Sequence, residues 1–188
     1  MDVDDSLLEF FSDKALLQEL IDEGKPIGLS TGILVYAAQR GDIELVRMLL
    51  SAGGQELLDT FDDDLAWTPL IAAAKKGDAA MVTFLLEAGA DVNANDEARI
   101  GDTALWAAVQ RGDYDVAKIL IEHGADPTIP GWMQQTALDK ARERKRMPEL
   151  YALLSSVVKA MPEPLPAKKR PPAKRRRPDK GRLPAKRP

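Results

Sequence analysis

The sequence contains no cysteine, a single histidine, and aromatic residues at only 5% of its 188 positions. The lack of cysteine excludes disulfides, thiolate metal sites and a cysteine nucleophile. With His123 as the only imidazole, neither a histidine-based triad nor a multi-histidine metal site has a second member. No apolar run approaches the roughly 18 residues that a membrane helix needs. The first residues, Met1-Asp2-Val3-Asp4-Asp5, are acidic where a signal peptide is basic. The expectation is a cytoplasmic protein, or a nuclear one where it is made in or delivered to a eukaryotic cell. Carboxylates are scattered and form no acid/base pair, so the chain is read as a non-enzyme with no cofactor and no metal.

The formal charge of −4 hides a division. From Pro162 to Pro188 there are eleven Lys/Arg against two acids, Glu163 and Asp179, a charge of +9; the other residues carry fifteen against twenty-eight, a charge of −13. That segment also holds eight of the thirteen prolines and few large apolar residues. It cannot bury enough surface to offset its ordering entropy, so residues 161–188 are expected to be a disordered basic tail with local polyproline character.

What is present in the body is a period. Arg40-Gly41-Asp42, Lys76-Gly77-Asp78 and Arg111-Gly112-Asp113 place their glycines 36 and 35 residues apart. A second glycine follows each first one after twelve residues, at Gly53, Gly89 and Gly124. In the middle unit Thr68 can N-cap a helix that opens on Pro69 and carries the small residues Ala72, Ala73 and Ala74. Gly77 can end it in the left-handed conformation, and Asp78 can cap the next. Met81, Val82, Phe84, Leu85 and Leu86 form the apolar stripe of that second helix. The same order recurs from Thr103 to Asp126, more loosely from Gly32 to Gly54, and again from Thr136 to Leu154, where Lys145-Arg146 replaces Gly-Asp. The turn itself needs only glycine and aspartate, so the basic residue ahead of them is read as not required by it.

These units closely resemble the ankyrin repeat family over about residues 28 to 157, with Trp67 to Asn93 and Thr103 to Asp126 the strongest copies. The family's histidine after leucine is replaced by Val35, Ile71, Trp106 and Asp139, so apolar packing is expected to substitute for its hydrogen bonds. The resemblance implies an all-α solenoid of stacked helix pairs joined by hairpin-like loops. The organisation is then residues 1–27 as N-terminal capping helices, interrupted at Ser12-Asp13, and repeats over 28–160, at about 28–61, 62–97, 98–130 and 131–157. Against a pitch of about 33, the Gly53 to Thr68 connection is three residues longer and Gly89 to Thr103 two longer, so the first two hairpins are the elaborated ones.

The resemblance further implies a partner protein on the concave face made by first helices and loops. Candidate contacts there are a basic ladder, Arg40, Lys76, Arg111 and, by alignment, Arg144, flanked by Gln39, Lys75, Gln110 and Glu143. Trp67, at a loop-to-helix junction, is a candidate anchor. The hairpins add Asp59, Asp62, Asp63 and Asp64, then Asn93, Asn95, Asp96, Glu97 and Arg99. Each has a plainer alternative: cations in a helix's last turn favour the macrodipole by a few tenths of a kcal/mol, and acidic loop tips can be a solvated edge.

Two motifs are set aside. Asp91-x-Asn93-x-Asn95 with Asp102 imitates a calcium loop but has Asp96 where the sharp turn needs glycine, and Asp where the bidentate Glu belongs. Arg40-Gly41-Asp42 and Arg111-Gly112-Asp113 match the integrin-binding tripeptide but lie between helices.

The tail runs Lys168-Lys169-Arg170 and Lys174-Arg175-Arg176-Arg177 fit a nuclear localisation or nucleic-acid-binding tract. Pro-Ala-Lys units resemble linker-histone-like tails, and with no aromatics the expected nucleic-acid affinity is weak, non-specific and salt-dependent. A solubilising or self-associating tail, or one folded across the acidic hairpins, are the alternatives. The overall expectation is a monomeric, membrane-independent module for protein–protein interaction, an adaptor, regulator or effector. The open alternatives are an electrostatic nucleic-acid or nuclear-targeted protein acting through its tail, and a bacterial immunity-type protein that occludes a toxin.

Overall fold

In the computed structural model residues 14–23, 29–96, 101–143 and 147–161 are described. They form nine helices: α1 (Lys14–Asp22), α2 (Thr31–Arg40), α3 (Ile43–Ser51), α4 (Pro69–Lys76), α5 (Ala79–Glu87), α6 (Ala104–Arg111), α7 (Tyr114–Glu122), α8 (Ala137–Glu143) and α9 (Pro148–Ala160). A short 3₁₀ turn lies at Gly54–Leu57, and a tight turn with a left-handed Met133 and Gln134 at Trp132–Gln134. The helices pair as α2/α3, α4/α5, α6/α7 and α8/α9, with α1 against α3. First helices stack in the order α2, α4, α6, α8, and second helices α5, α7 and α9 form a parallel layer. The described residues contain no strand, so the fold is an all-α repeat solenoid.

Local chemistry sets the helix ends. Thr68 and Thr103 accept from the amides of Ile71 (3.3 Å) and Trp106 (3.1 Å), three residues on. Asp42, Asp78 and Asp113 cap the second helices through the amides of Leu45, Met81 and Val116, at 3.0, 3.1 and 3.1 Å. Each such cap contributes about 1 kcal/mol. Between helices, Gly41, Gly77 and Gly112 turn the chain at φ +77°, +78° and +81°. The core repeats with the units: Ala37 and Ala38, Ala72 to Ala74, and Ala107 and Ala108 are buried between the first helices, and Leu49, Leu85 and Leu120 between the second. Fully burying each leucine stabilises by roughly 1.5–3 kcal/mol.

The ends of the stack differ from the sequence expectation. In the first unit the N-cap is Ser30, two residues ahead of Gly32, the helix opens at Thr31, and the Ser30 hydroxyl makes no cap bond. The fourth unit has a reciprocal capping box. Thr136 Oγ accepts from the Asp139 amide at 3.0 Å, and the Asp139 carboxylate accepts from the Thr136 amide and hydroxyl at 3.2 and 2.7 Å. So where Val35, Ile71 and Trp106 are buried apolar replacements for the family's histidine, Asp139 is a polar one. These Thr136 bonds hold the Asp139 carboxyl below its ordinary value. Of the N-terminal cap, α1 is described; it buries Leu17 and reaches the first repeat through Lys14, whose ammonium lies 2.8 Å from Asp42 and 2.7 Å from Glu44.

Candidate functional site

The stack has two long edges: the turns between first and second helices, and the hairpins between units. At the turn edge Lys76 and Arg111, the basic residues of the second and third tripeptides, reach across the glycine of the unit before. A Cβ placed on Gly41 would lie 2.5 Å from Lys76 Nζ and 2.5 Å from Asp78 Oδ2. On Gly77 it would meet Arg111 Nε at 2.5 Å and Asp113 Oδ2 at 2.7 Å. The cations meanwhile pair with the aspartates of their own turns, Lys76 with Asp78 at 3.6 Å and Arg111 with Asp113 at 3.8 Å. Arg111 Nη1 also donates to the Lys75 carbonyl at 3.4 Å. The turn alone does not require these cations, but the stack uses them. They cover the preceding turn, so a side chain at that glycine would have to push them aside in addition to adopting its φ.

Arg40, at the start of the row, instead lies over the Tyr36 ring, 5.6 Å from its centroid, and donates to its hydroxyl at 3.1 Å. Its aspartate, Asp42, is taken by Lys14. Partial burial raises the Asp42 carboxyl, but the Lys14 ammonium and the Leu45 amide outweigh it and hold the group below its ordinary value. Lys14 is raised in turn, first by Asp42 and then by Glu44. Lys76 and Arg111 remain substantially exposed, and Gln110 is exposed beside Arg111. The two Arg-Gly-Asp tripeptides are thus fixed turns whose aspartates cap helices.

On the face of the first helices the structure gathers Trp67, Lys75 and Asp102. Trp67 is half-buried against the core rather than freely exposed, and its amide donates to Asp62 Oδ1 at 2.7 Å. Lys75 Nζ sits 4.8 Å from the Trp67 ring centroid and 3.3 Å from Asp102 Oδ2. One step along, Trp106 is buried with Lys140 Nζ 5.8 Å from its ring centroid. The second Asp102 oxygen and the Trp106 indole nitrogen are buried with no hydrogen-bond partner among the described residues. Sequence reasoning missed Asp102 as a site residue, although it stands one place before its capping threonine as Trp67 does. Trp106 was read only as a packing replacement.

At the hairpin edge, polar side chains hold backbone. Asp62, only 6% exposed, accepts from the amides of Leu65 and Trp67 and so closes its own loop. Asp59 accepts from the Asp91 amide at 2.7 Å, and Asn93 accepts from the Asp126 amide at 2.8 Å and donates to the Gly124 carbonyl at 3.2 Å. Asn95 donates to the Pro130 carbonyl at 3.3 Å. These bonds run from hairpin to hairpin. They account for most of the residues that imitate a calcium loop, and no group of three or more possible metal ligands occurs among the described residues. Asp63 and Asp64 are at the exposed tip. A cleft of about 580 Å³ runs between the hairpins, lined by Asp59, Phe61, Asp91, Asn93, Ala94, Asn95, Ile129 and Pro130.

A positive φ recurs two residues before each capping threonine, at Ala66 (54°), Gly101 (70°) and Gln134 (60°). Only the glycine advertises it in the sequence; aligning the units on Thr68, Thr103 and Thr136 would have found the others. Arg99, Arg144, Glu97 and the tail residues Lys168, Lys169, Arg170, Lys174, Arg175, Arg176 and Arg177 lie outside the described residues. The single histidine donates its Nδ1–H to the Ile119 carbonyl at 2.8 Å, closing the end of α7.

The family model for ankyrin repeats, in three copies, matches residues 9–96 and 34–131. No curated protein matches the chain. The fourth helix pair, α8/α9, lies beyond the matched residues yet packs on α6 and α7 as α6/α7 packs on α4 and α5. Matched over well more than half its length, and folded as a stack of capped helix pairs, the chain belongs to the ankyrin repeat family.

Proposed function

We propose that the chain is a non-enzymatic protein–protein interaction module, an adaptor, regulator or effector, whose partner seats on the face of the first helices and their hairpin junctions. Ankyrin repeats generally mediate protein–protein interaction. The observation that carries the placement is the Trp67, Lys75 and Asp102 constellation. It offers a half-buried indole, a cation above it and a nearly buried carboxylate at one junction. Tryptophan beside desolvated charge is the chemistry of interface anchors. Exposed Gln110 and Arg111 extend the surface along the stack.

The test is a pull-down in which wild type runs beside Trp67→Ala and, separately, Gln110→Glu, an exposed position that carries none of the stacking contacts described above. Proteins present with wild type and lost with both variants identify ligand and face, provided that the variants melt as wild type within a few degrees. Retention of every captured protein by both variants refutes the placement. The +9 charge of residues 162–188 favours a second reading, weak phosphate binding by the tail. A DNA titration whose salt slope is unchanged on deleting those residues refutes it.

A further inference from the structure

The cleft at the hairpin edge has an apolar floor and an anionic rim. Phe61, Ala94, Ile129 and Pro130 supply the floor, and Asp59 and Asp91 supply carboxylates, each using one oxygen for a backbone amide and keeping a second. From residue 48 to residue 98 the only cations are Lys75 and Lys76, at the far end of α4. So among the described residues the groove has a surplus of negative charge, and no lysine or arginine lines it.

The last described helix delivers the chain to this edge. Helix α8 leaves a hairpin, and α9 returns antiparallel to it after a short connection. At thirteen residues against seven, α9 rises roughly 20 Å where α8 rises roughly 10 Å, so its end at Ala160 passes the start of α8. The sequence that follows has its own period. Pro166-Ala167-Lys168, Pro172-Ala173-Lys174, Pro178-Asp179-Lys180 and Pro184-Ala185-Lys186 recur every six residues.

Six residues are two turns of a polyproline helix. In that conformation the four prolines fall on one edge and the four lysines on the next. One six-residue step advances about 19 Å. Two steps between stacked helix pairs, at about 8–10 Å each, cover a similar distance, that from the first hairpin to the third.

We infer that residues 162–188 dock in cis into the hairpin cleft as a polyproline strand. The prolines rest on Phe61, Ile129 and Pro130, and the lysines face Asp59 and Asp91. Proline-rich strands dock on aromatic-floored grooves because little order remains to be lost, and opposite charge fixes the register. Tethering makes a weak contact sufficient, since a short flexible link supplies an effective concentration in the millimolar range. The hairpin edge is then masked in the resting protein and uncovered by salt or by a polyanion that takes the tail. This inference is independent of where an outside partner binds on the first helices.

The absence of native cysteine permits a clean test. A nitroxide is placed at Ala173→Cys in the full chain and the amide signals of the isotope-labelled protein are recorded at low salt. Selective loss of signal is expected at Phe61, Asp91, Asn93, Ala94 and Asn95. Intensity should return at 1 M salt, where the screening length shrinks to about 3 Å. It should also return in the Asp59→Asn, Asp91→Asn variant, which keeps the oxygens that hold the backbone while dropping the charge. No selective loss at low salt overturns the inference. So does loss centred on the turn edge, or loss that persists in the Asn variant. In a mixture of spin-labelled protein with isotope-labelled, unmodified protein, broadening as strong as in the doubly labelled chain means that a second copy's tail fills the groove, and overturns docking in cis.

Discussion

The two edges of the stack are built from the same residue types and hold together by different means. At the turn edge one tripeptide recurs, and the first three units are joined by Lys76 and Arg111, flexible cations that lie over the preceding glycine and pair with an aspartate of their own turn. At the hairpin edge the loops differ in length, and aspartate and asparagine bond directly to the backbone of the neighbouring unit. The turn edge therefore ties its glycines to the identity of the next unit's side chains, whereas the hairpin edge asks of each position only an Asx oxygen, at Asp59 and Asn93, or an amide donor, at Asn93 and Asn95. Variation for recognition has more room at the hairpins.

The largest expected effect is at Gly77. Alanine there adopts φ +78° at a cost of roughly 1–2 kcal/mol and also displaces Arg111 and the capping Asp113, for a total of about 2–4 kcal/mol by chemical denaturation. Gly124, at φ +88° but with nothing within 4 Å of an added Cβ, should lose only the roughly 1–2 kcal/mol of backbone strain on the same substitution. Equal losses at the two glycines would erase the distinction between the edges.

Asp78→Ala comes next. Loss of the cap to Met81 and of the Lys76 pair should cost about 1–2 kcal/mol, whereas Asp78→Asn, which keeps the cap oxygen, should cost less than half of that. Thermal melts of the two variants check it. On the hairpin side, Met133 and Gln134 are consecutive left-handed residues in a tight loop closed by the Gly131 amide on the Gln135 carbonyl at 2.8 Å. The pair Met133→Asn, Gln134→Gly supplies the residues such a turn prefers and should stabilise by about 1 kcal/mol. A lowered melting temperature would mean that the loop is held by its side chains.

The smallest effect is electrostatic. Asp42 is held below its ordinary 3.8 in the fold, so the unfolded chain takes up the proton first. Its contribution is present above the unfolded value and lost as pH falls through the lower folded one. Lys14→Gln removes the partner and should make stability decline less steeply between about pH 4 and pH 2. Urea midpoints across that range measure it, and identical slopes would show that the cap contributes nothing through this pair.

Most of the helix pattern was legible because its signals are local. Thr68 with Pro69, Gly77 with Asp78, and Thr103 with Gly112 each state a helix end within a few residues, and Leu85 and Leu120 follow from helical spacing. Contacts between units were not legible. That Lys76 covers Gly41 depends on the rise of one repeat over another, which no single unit encodes. Asp62 could not be told from Asp63 and Asp64, since three identical residues in a row give no sign of which one turns inward. Trp67 was legible as a junction residue, but its half-burial against the core, and the Lys75 held above its ring by Asp102 from the next unit, were not. Ala66 and Gln134 hide a left-handed backbone because neither residue type announces it.

The claim at the centre is that Lys76 and Arg111 each join their unit to the preceding one across its glycine. A double-mutant cycle between Gly77→Ala and Arg111→Ala tests it most directly, with Gly124→Ala and Arg111→Ala as the distant control pair. The expected result is a double variant less destabilised than the sum of the singles by about 0.5–1 kcal/mol for the Gly77 pair, against additivity for the control. Additivity to within about 0.3 kcal/mol at Gly77 would contradict the claim and leave Arg111 as a surface charge with no part in holding the stack.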